Sequence, residues 1–143
     1  MRLKDKIALV FGAGQSPGPT PAIGNGRATS ILYAREGTKV MAVDRNLESA
    51  QETVRMIEDE GGQAAAVEAD VTDEAAVKAA VRACVDKWGR IDILHNNVGI
   101  SVEGGDAAVT EITTEAFDRI IAVNLRSMVY ACKHTIPVMR NQK

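Results

Sequence analysis

The sequence has few cysteines and no long apolar run. Cys84 and Cys132 are the two cysteines in 143 residues, and they lie far apart without the short spacing of metal-ligand pairs. This predicts two reduced thiols, with neither a disulfide framework nor a metal site. The apolar runs are too short to span a bilayer, which needs about 20 residues. We therefore expect a cytoplasmic protein without a membrane segment.

The sequence also lacks an excess of charge of either sign. It contains 17 Lys and Arg against 19 Asp and Glu, which gives a net charge of −2 with both signs interspersed. Such a balance disfavours nucleic acid and anionic membrane surfaces as partners. The length fits one domain, which we assign to residues 1–143.

Short aliphatic runs alternate with longer stretches of helical period along the whole chain. The pattern predicts strands near 6–11, 38–43, 63–68 and 91–95, and helices near 26–36, 46–60, 73–87 and 114–140. We expect Gly37, the pair Gly61-Gly62, and Gly89 at the C-terminal caps of the first three helices, and Thr72 at the N-cap of the third. Alternating strands and helices predict an α/β fold, a Rossmann-type doubly wound parallel sheet in the order 3-2-1-4.

The turn between the first strand and the first helix is rich in glycine. A pyrophosphate binds to backbone N–H groups at a helix N-terminus, which requires residues without a Cβ where the chain turns. Gly12, Gly14, Gly24 and Gly26 lie in this turn, and Asp44 ends the next strand, eighteen residues after Gly26. An acid at that distance accepts hydrogen bonds from the adenosine ribose hydroxyls. The combination favours a dinucleotide-binding βαβ unit over a merely flexible loop.

These residues, with others downstream, resemble the motifs of the classical short-chain dehydrogenase/reductase family, in order and through the whole chain. Gly12 to Gly26 resembles the glycine motif, Asp70-Val71 the pair that contacts adenine, and Asn96-Asn97-Val98-Gly99 the Asn-Asn-Ala-Gly motif beside the cofactor. The resemblance implies cofactor contacts from Gly12, Gly14, Gly24, Asn25, Gly26, Asp44, Arg45, Asp70, Val71, Asn96, Asn97 and Gly99. It gives Asn124 a supporting catalytic role, holding a water in a proton relay.

Three of these assignments have a purely structural alternative. Asp70 can be an acid at a helix start, and the Asn96-Asn97 pair can form an ordinary turn. Asn124 lies in an apolar helical stretch, where an amide with a buried partner can serve structure alone. The residues by themselves leave these alternatives open.

The glycine motif is longer here than in the family it resembles. Eleven residues separate Gly12 from Gly24, where the family has three, and segment 15–21 holds three of the four prolines. Because proline removes a backbone donor and disrupts regular structure, we expect a poorly ordered insertion of eight residues in the nucleotide-binding turn.

The acid at the end of the second strand indicates NAD rather than NADP. A carboxylate about 4 Å from a 2′-phosphate is repelled by about 4 kcal/mol per charge pair at an effective dielectric constant near 20. Arg45 leaves NADP as the alternative, since it can bind that phosphate or stack on adenine.

The family's serine, tyrosine and lysine that carry hydride chemistry have no match here. Tyr33 and Tyr130 are followed four positions later by Gly37 and His134 rather than by lysine. We expect a piece of a longer oxidoreductase that transfers hydride between a nicotinamide and an alcohol or ketone, with these residues alone binding cofactor without turnover. The alternative is a non-catalytic NAD-binding or regulatory module. We expect the protein to form a homo-oligomer through the long helix 114–140.

Overall fold

The computed structural model describes residues 1–16 and 22–142. Four strands, β1 to β4, span Ile7–Phe11, Lys39–Asp44, Ala64–Glu68 and Ile93–Asn96. The helices α1 to α3 span Asn25–Arg35, Leu47–Asp59 and Glu74–Trp88. A 3-10 turn covers Val102–Gly104, and α4 and α5 cover Thr114–Ile121 and Ser127–Arg140.

The strands form one parallel sheet in the order β3-β2-β1-β4. Leu9 in the middle of β1 pairs with Met41 on one side and Leu94 on the other, so β1 lies in the interior of the sheet. The predicted fold class and strand order are therefore confirmed. The order reverses between β1 and β4, and in such sheets ligands bind beyond the carboxyl ends of the strands at this point.

Alternating residues of β1 and β2 pack into two separate cores, because successive side chains of a strand point to opposite faces of the sheet. One core contains Leu9, Phe11 and Met41 together with side chains of α3 and α5. The other contains Val10 and Val40 together with side chains of α1 and α2. All five β1 residues are buried, as expected for a strand covered on both faces.

Most predicted element ends lie within one residue of the structure, and the start of the fourth strand and three predicted caps differ. The C-caps of α1 and α2 are Glu36 and Glu60, each one residue before the predicted Gly37 and Gly61, while Gly89 caps α3 as predicted. The N-cap of α3 is Asp73, whose carboxylate accepts from the Ala75 N–H at 2.9 Å, and not Thr72. The fourth strand begins at Ile93 rather than at Ile91. The reason is a tertiary contact: both backbone groups of Ile91 bond to the Gln142 side chain.

The predicted helix 114–140 is helical throughout and is not one regular α-helix. A π-helical segment, Ala122–Arg126, lies between α4 and α5. The segment contains Asn124, and π-bulges within α-helices are frequent at functional sites. Apolar periodicity does not reveal such a bulge, since one extra residue per turn shifts the stripe by a fraction of a turn.

In the described part of the chain, 1–16 and 22–142, none of the helices has the length and apolar character needed to cross a membrane.

Candidate functional site

A cleft of about 680 Å³ opens beyond the carboxyl ends of β1, β2 and β4, within the size range of small-molecule and cofactor sites. Eleven of the predicted cofactor residues line it: Gly12, Gly14, Gly24, Asn25, Gly26, Asp44, Arg45, Asp70, Val71, Asn97 and Gly99. Asn96 and Asn124 are not among the lining residues. The structure thus brings most of the predicted set together in one place.

The first turn of α1 lies directly against the end of β1. A Cβ on Gly26 would lie 1.7 Å from the Gly12 carbonyl oxygen, so residue 26 must be glycine. Gly24 differs from this expectation, because the nearest atom to a Cβ there is 3.7 Å away. Gly24 is the N-cap of α1 with φ −68° and ψ 149°, a backbone conformation open to any residue.

Asp44, at the end of β2, faces the glycine turn. Its Oδ2 accepts from the Gly14 N–H at 2.9 Å, and its Oδ1 accepts from the Asn46 N–H at 3.0 Å. Each carboxylate oxygen keeps further acceptor capacity. The carboxylate is therefore held at the wall of the cleft with room to accept ribose hydroxyls.

Side chains of α1 and α2 form hydrogen bonds that hold the glycine turn in place. Thr53 Oγ1 donates to the Ala13 carbonyl at 2.7 Å and accepts from Arg27 Nε at 3.0 Å. Arg27 Nη2 also donates to the Ser49 carbonyl at 3.1 Å. Thr53 is fully buried, so this network connects the turn to the interior and does not merely coat its surface.

Asp70 lies after β3, at the opposite end of the cleft from β4. Its Oδ1 accepts from both the N–H and the hydroxyl of Thr72, at 2.8 and 2.7 Å. The Thr72 hydroxyl, the backbone N–H and the Arg45 charge together outweigh burial and lower the pKa of Asp70. Because Asp73 caps α3, Asp70 is not the acid that starts this helix.

Asn96, the last residue of β4, and Asn97, just after it, have different surroundings. Asn97 Nδ2 donates to the Gly12 carbonyl at 3.1 Å and lines the cleft. Asn96 points the other way, with its Nδ2 4.0 Å from Cys132 Sγ on α5. Side-chain alternation along a strand accounts for this split.

Asn124 holds the segment that follows β4. Its Oδ1 accepts from the Ile100 N–H and its Nδ2 donates to the Ile100 carbonyl, both at 2.8 Å. The side chain thus fixes the backbone next to Gly99, which lines the cleft. This contact gives the Asn124 amide a structural partner beside the site, and its role in a proton relay stays a prediction.

Several lining residues were not predicted, among them Gln15, Ile100, Glu103 and Val123. Gln15 belongs to the insertion that the sequence predicts to be poorly ordered, and this prediction is wrong for Gln15, because both its backbone and its side chain are hydrogen-bonded. Segment 17–21 of the same insertion lies outside the described residues. A polar residue at the edge of a proline-rich segment carries no signal of such bonding in the sequence.

Comparison with known proteins decides the family. The family model for the short chain dehydrogenase matches residues 6–143. The chain belongs to the short-chain dehydrogenase family. The predicted family resemblance is therefore confirmed.

Individual proteins and a solved structure agree with this family. The chain is 43% identical over 138 residues to an uncharacterized oxidoreductase of Bacillus subtilis, covering 96% of this chain and 47% of that protein. It is 39% identical over 130 residues to a sorbitol dehydrogenase of Cereibacter sphaeroides, covering 91% and 45%. A crystal structure of a short chain dehydrogenase from Mycobacterium smegmatis superimposes with a TM-score of 0.87 at 33% identity, covering 99% of this chain and 55% of that chain.

The chain spans about half the length of these relatives and of this solved structure. This part contains four strands of a Rossmann-type sheet, with the cleft at the β1–β4 switch point. Within residues 1–16 and 22–142 there is no group of three or more His, Cys, Asp or Glu side chains placed to hold a metal ion.

Proposed function

We propose that this chain is the cofactor-binding part of an oxidoreductase that transfers hydride between a nicotinamide dinucleotide and an alcohol or ketone. One observation supports the proposal above all others: a single cleft collects eleven residues predicted from five separate segments of the chain. The cleft combines an open helix N-terminus for a pyrophosphate with carboxylates for an adenosine. The similarity to a sorbitol dehydrogenase agrees with an alcohol as the substrate class.

When bound, the nicotinamide would accept or supply the hydride. The glycine turn and the N-terminus of α1 would hold the pyrophosphate through backbone N–H groups. Asp44 would accept the ribose hydroxyls, and Asp70 with Val71 would contact the adenine. Gly99 and Val123 would border the nicotinamide end, which is the end nearest β4.

We infer that the cofactor is NAD. Asp44 stands at the cleft wall with both oxygens already oriented by backbone N–H groups, so a 2′-phosphate would meet a fixed negative charge. Arg45 lines the same end and would stack on adenine.

The preference can be measured with two substitutions. Asp44→Asn removes the repelling charge and is expected to raise the affinity for NADP relative to NAD by about tenfold or more, since 1.4 kcal/mol corresponds to a factor of ten. Arg45→Gln is the matched control, expected to change the affinity for both dinucleotides equally. A fall in NADP affinity alone in Arg45→Gln would assign Arg45 to the 2′-phosphate and contradict the NAD assignment.

The serine, tyrosine and lysine implied by the family resemblance are not among these 143 residues. We therefore propose that residues 1–143 by themselves bind cofactor and do not turn over substrate. Asn124 takes part by positioning residue 100 at the edge of the cleft. The substrate is left at the level of an alcohol or ketone.

Two further parts of the proposal concern the whole protein. Four apolar side chains of the long helix are between 41% and 57% exposed: Phe117, Leu125, Val129 and Ile136. We propose that they form a homo-oligomer contact.

Cys84 and Cys132 are free thiols, and burial raises the pKa of Cys84 to about 12. Unpaired thiols agree with a cytoplasmic location.

The gene sequence beyond codon 143, combined with an activity assay, tests the catalytic part. A Tyr-x-x-x-Lys sequence further on, and formation of NADH from an alcohol by the complete gene product, are the expected results. A stop codon at this point, together with NAD binding, would instead identify a non-catalytic module.

A further inference from the structure

Gln15 lies at the base of the insertion and bonds across it. Its Nε2 donates to the Ala22 carbonyl at 2.9 Å, and its Oε1 accepts from the Gly24 N–H at 3.1 Å. One carboxamide therefore connects the chain that enters the insertion with the chain that leaves it.

The backbone of Gln15 is held as well. Its N–H donates to Ser49 Oγ at 2.7 Å, and the Ser49 hydroxyl donates back to its carbonyl at 3.1 Å. Ser49 belongs to α2 and also accepts from Arg27 Nη2 at 3.3 Å. The carboxamide thus extends from a backbone that a neighbouring helix keeps in place.

The glycine turn demands accurate placement of the first residues of α1. Gly26 packs so closely on the Gly12 carbonyl that even a Cβ has no room. Eleven residues separate Gly12 from Gly24, and the entropy of closing a loop grows with its length. The bridge from Gln15 to Ala22 and Gly24 shortens the effective loop between Gly12 and Gly24 to residues 13–15.

We propose that Gln15 is a positioning residue that sets the N-terminus of α1 for the pyrophosphate, an inference that rests on the proposed dinucleotide binding. The first bond within α1 runs from the Ala28 N–H to the Gly24 carbonyl at 2.9 Å. The N–H groups of residues 25–27 consequently have no carbonyl of a preceding turn to bond. Gln15 takes the N–H of Gly24, just before these three, and leaves them to the ligand.

A double-mutant cycle tests the proposal by calorimetric titration with NAD. Its four proteins are the wild type, Gln15→Ala, a shortened chain without residues 16–23, and the shortened chain with Gln15→Ala. Two net hydrogen bonds correspond to about a tenfold loss of affinity in Gln15→Ala. In the shortened chain, where three residues separate Gly12 from Gly24, the same substitution is expected to change affinity less than about twofold.

A second readout does not depend on the ligand. In the free protein, amide exchange at Gly24, followed by NMR, is expected to accelerate in Gln15→Ala, while the melting temperature shifts by less than about 3 °C, as for an ordinary surface substitution. Gln51→Ala, at an exposed position of α2, is the matched control and is expected to change neither the exchange nor the affinity.

The outcomes separate this inference from the function beneath it. Unchanged NAD affinity or unchanged Gly24 exchange in Gln15→Ala would overturn the role of Gln15 alone. An equal loss in the long and shortened chains would do the same, because the role would then not depend on the insertion. A folded wild type that binds neither NAD nor NADP would overturn the proposed function, and the positioning role with it.

Discussion

Two glycines of one turn, two residues apart, have opposite tolerance for a side chain. Gly26→Ala forces a methyl group into the Gly12 carbonyl and is expected to destabilise the fold by about 3 kcal/mol or more, since overpacking costs about 1–3 kcal/mol even where side chains can move. In Gly24→Ala the added Cβ meets its nearest atom at 3.7 Å, an ordinary van der Waals contact, and the substitution is expected to cost less than about 1 kcal/mol. Urea unfolding of both variants measures the difference. Equal stability of the two would contradict the packing described at this turn.

Asp92 gives the molecule a defined dependence on pH. Its side chain, 10% exposed, accepts from the Ile7 N–H at 2.9 Å and pairs with Arg90. Burial acts to raise the pKa of Asp92, and the bonds from Arg90 and Ile7 and the charges of Arg90 and Lys6 outweigh it, so the pKa is lowered. Folding therefore favours the ionised form. The stability it contributes is present above the ordinary carboxyl pKa and is lost as the pH falls through the lower folded value.

This predicts a pH-dependent effect of Asp92→Asn. At neutral pH the substitution is expected to lower the free energy of unfolding by about 1–3 kcal/mol, the usual contribution of hydrogen bonds to a charged group. Below the folded pKa of Asp92 the difference from the wild type should shrink. Asp118→Asn, at an exposed position of α4, serves as the control, with a change within about 0.5 kcal/mol. A deficit that stays constant across pH would exclude the ionised carboxylate as its cause.

At the scale of elements, two carboxamides tie the long helical segment to the chain on both sides of β4. Asn124 bonds both backbone groups of Ile100 at 2.8 Å, and Gln142 bonds both backbone groups of Ile91 at 2.7 and 2.8 Å. One tie lies beside the cleft and the other at the far end of the strand. They form a natural pair for separating stability from binding.

Replacing either carboxamide by alanine leaves two backbone groups without their partner. Asn124→Ala and Gln142→Ala are both expected to lower the unfolding free energy by about 1–3 kcal/mol. Asn124→Ala alone should weaken NAD binding, because Ile100 and Gly99 line the cleft. Chemical unfolding and calorimetry distinguish the two effects. Equal loss of NAD affinity in both variants would contradict a local role for Asn124.

The elements themselves were largely predictable from the sequence, for a physical reason. Aliphatic runs such as residues 7–11 and the glycines after the helices report burial and chain reversal, which are local properties. The Gln142 side chain bonds to Ile91, which lies 51 positions away in the sequence. Tertiary contacts, and not the local sequence, determine that Ile91 bonds to this side chain instead of to a neighbouring strand. The π-helical segment and the bonds of Gln15 were missed for the same reason: they depend on neighbours that local pattern does not specify.

At the scale of the whole molecule, the long helical segment presents apolar side chains to solvent. Leu125 and Val129, four residues apart along this segment, are 56% and 57% exposed. Contiguous exposed apolar surface of this kind marks association sites.

The double substitution Leu125→Glu and Val129→Glu is expected to convert an oligomer to monomer in light scattering coupled to gel filtration. Val109→Glu, at a 91% exposed position before α4, should leave the mass unchanged. A wild type that is monomeric throughout the micromolar range would contradict this contact.

The central proposal is that the glycine turn, Asp44 and the β1–β4 switch point form a binding cleft for a nicotinamide dinucleotide. Calorimetric titration of the folded protein with NAD and with NADP, its fold checked by circular dichroism, measures this most directly. The expected result is one NAD per chain, bound more tightly than NADP. Absence of binding heat for both dinucleotides at several temperatures, from protein with the circular dichroism of an α/β fold, would contradict it.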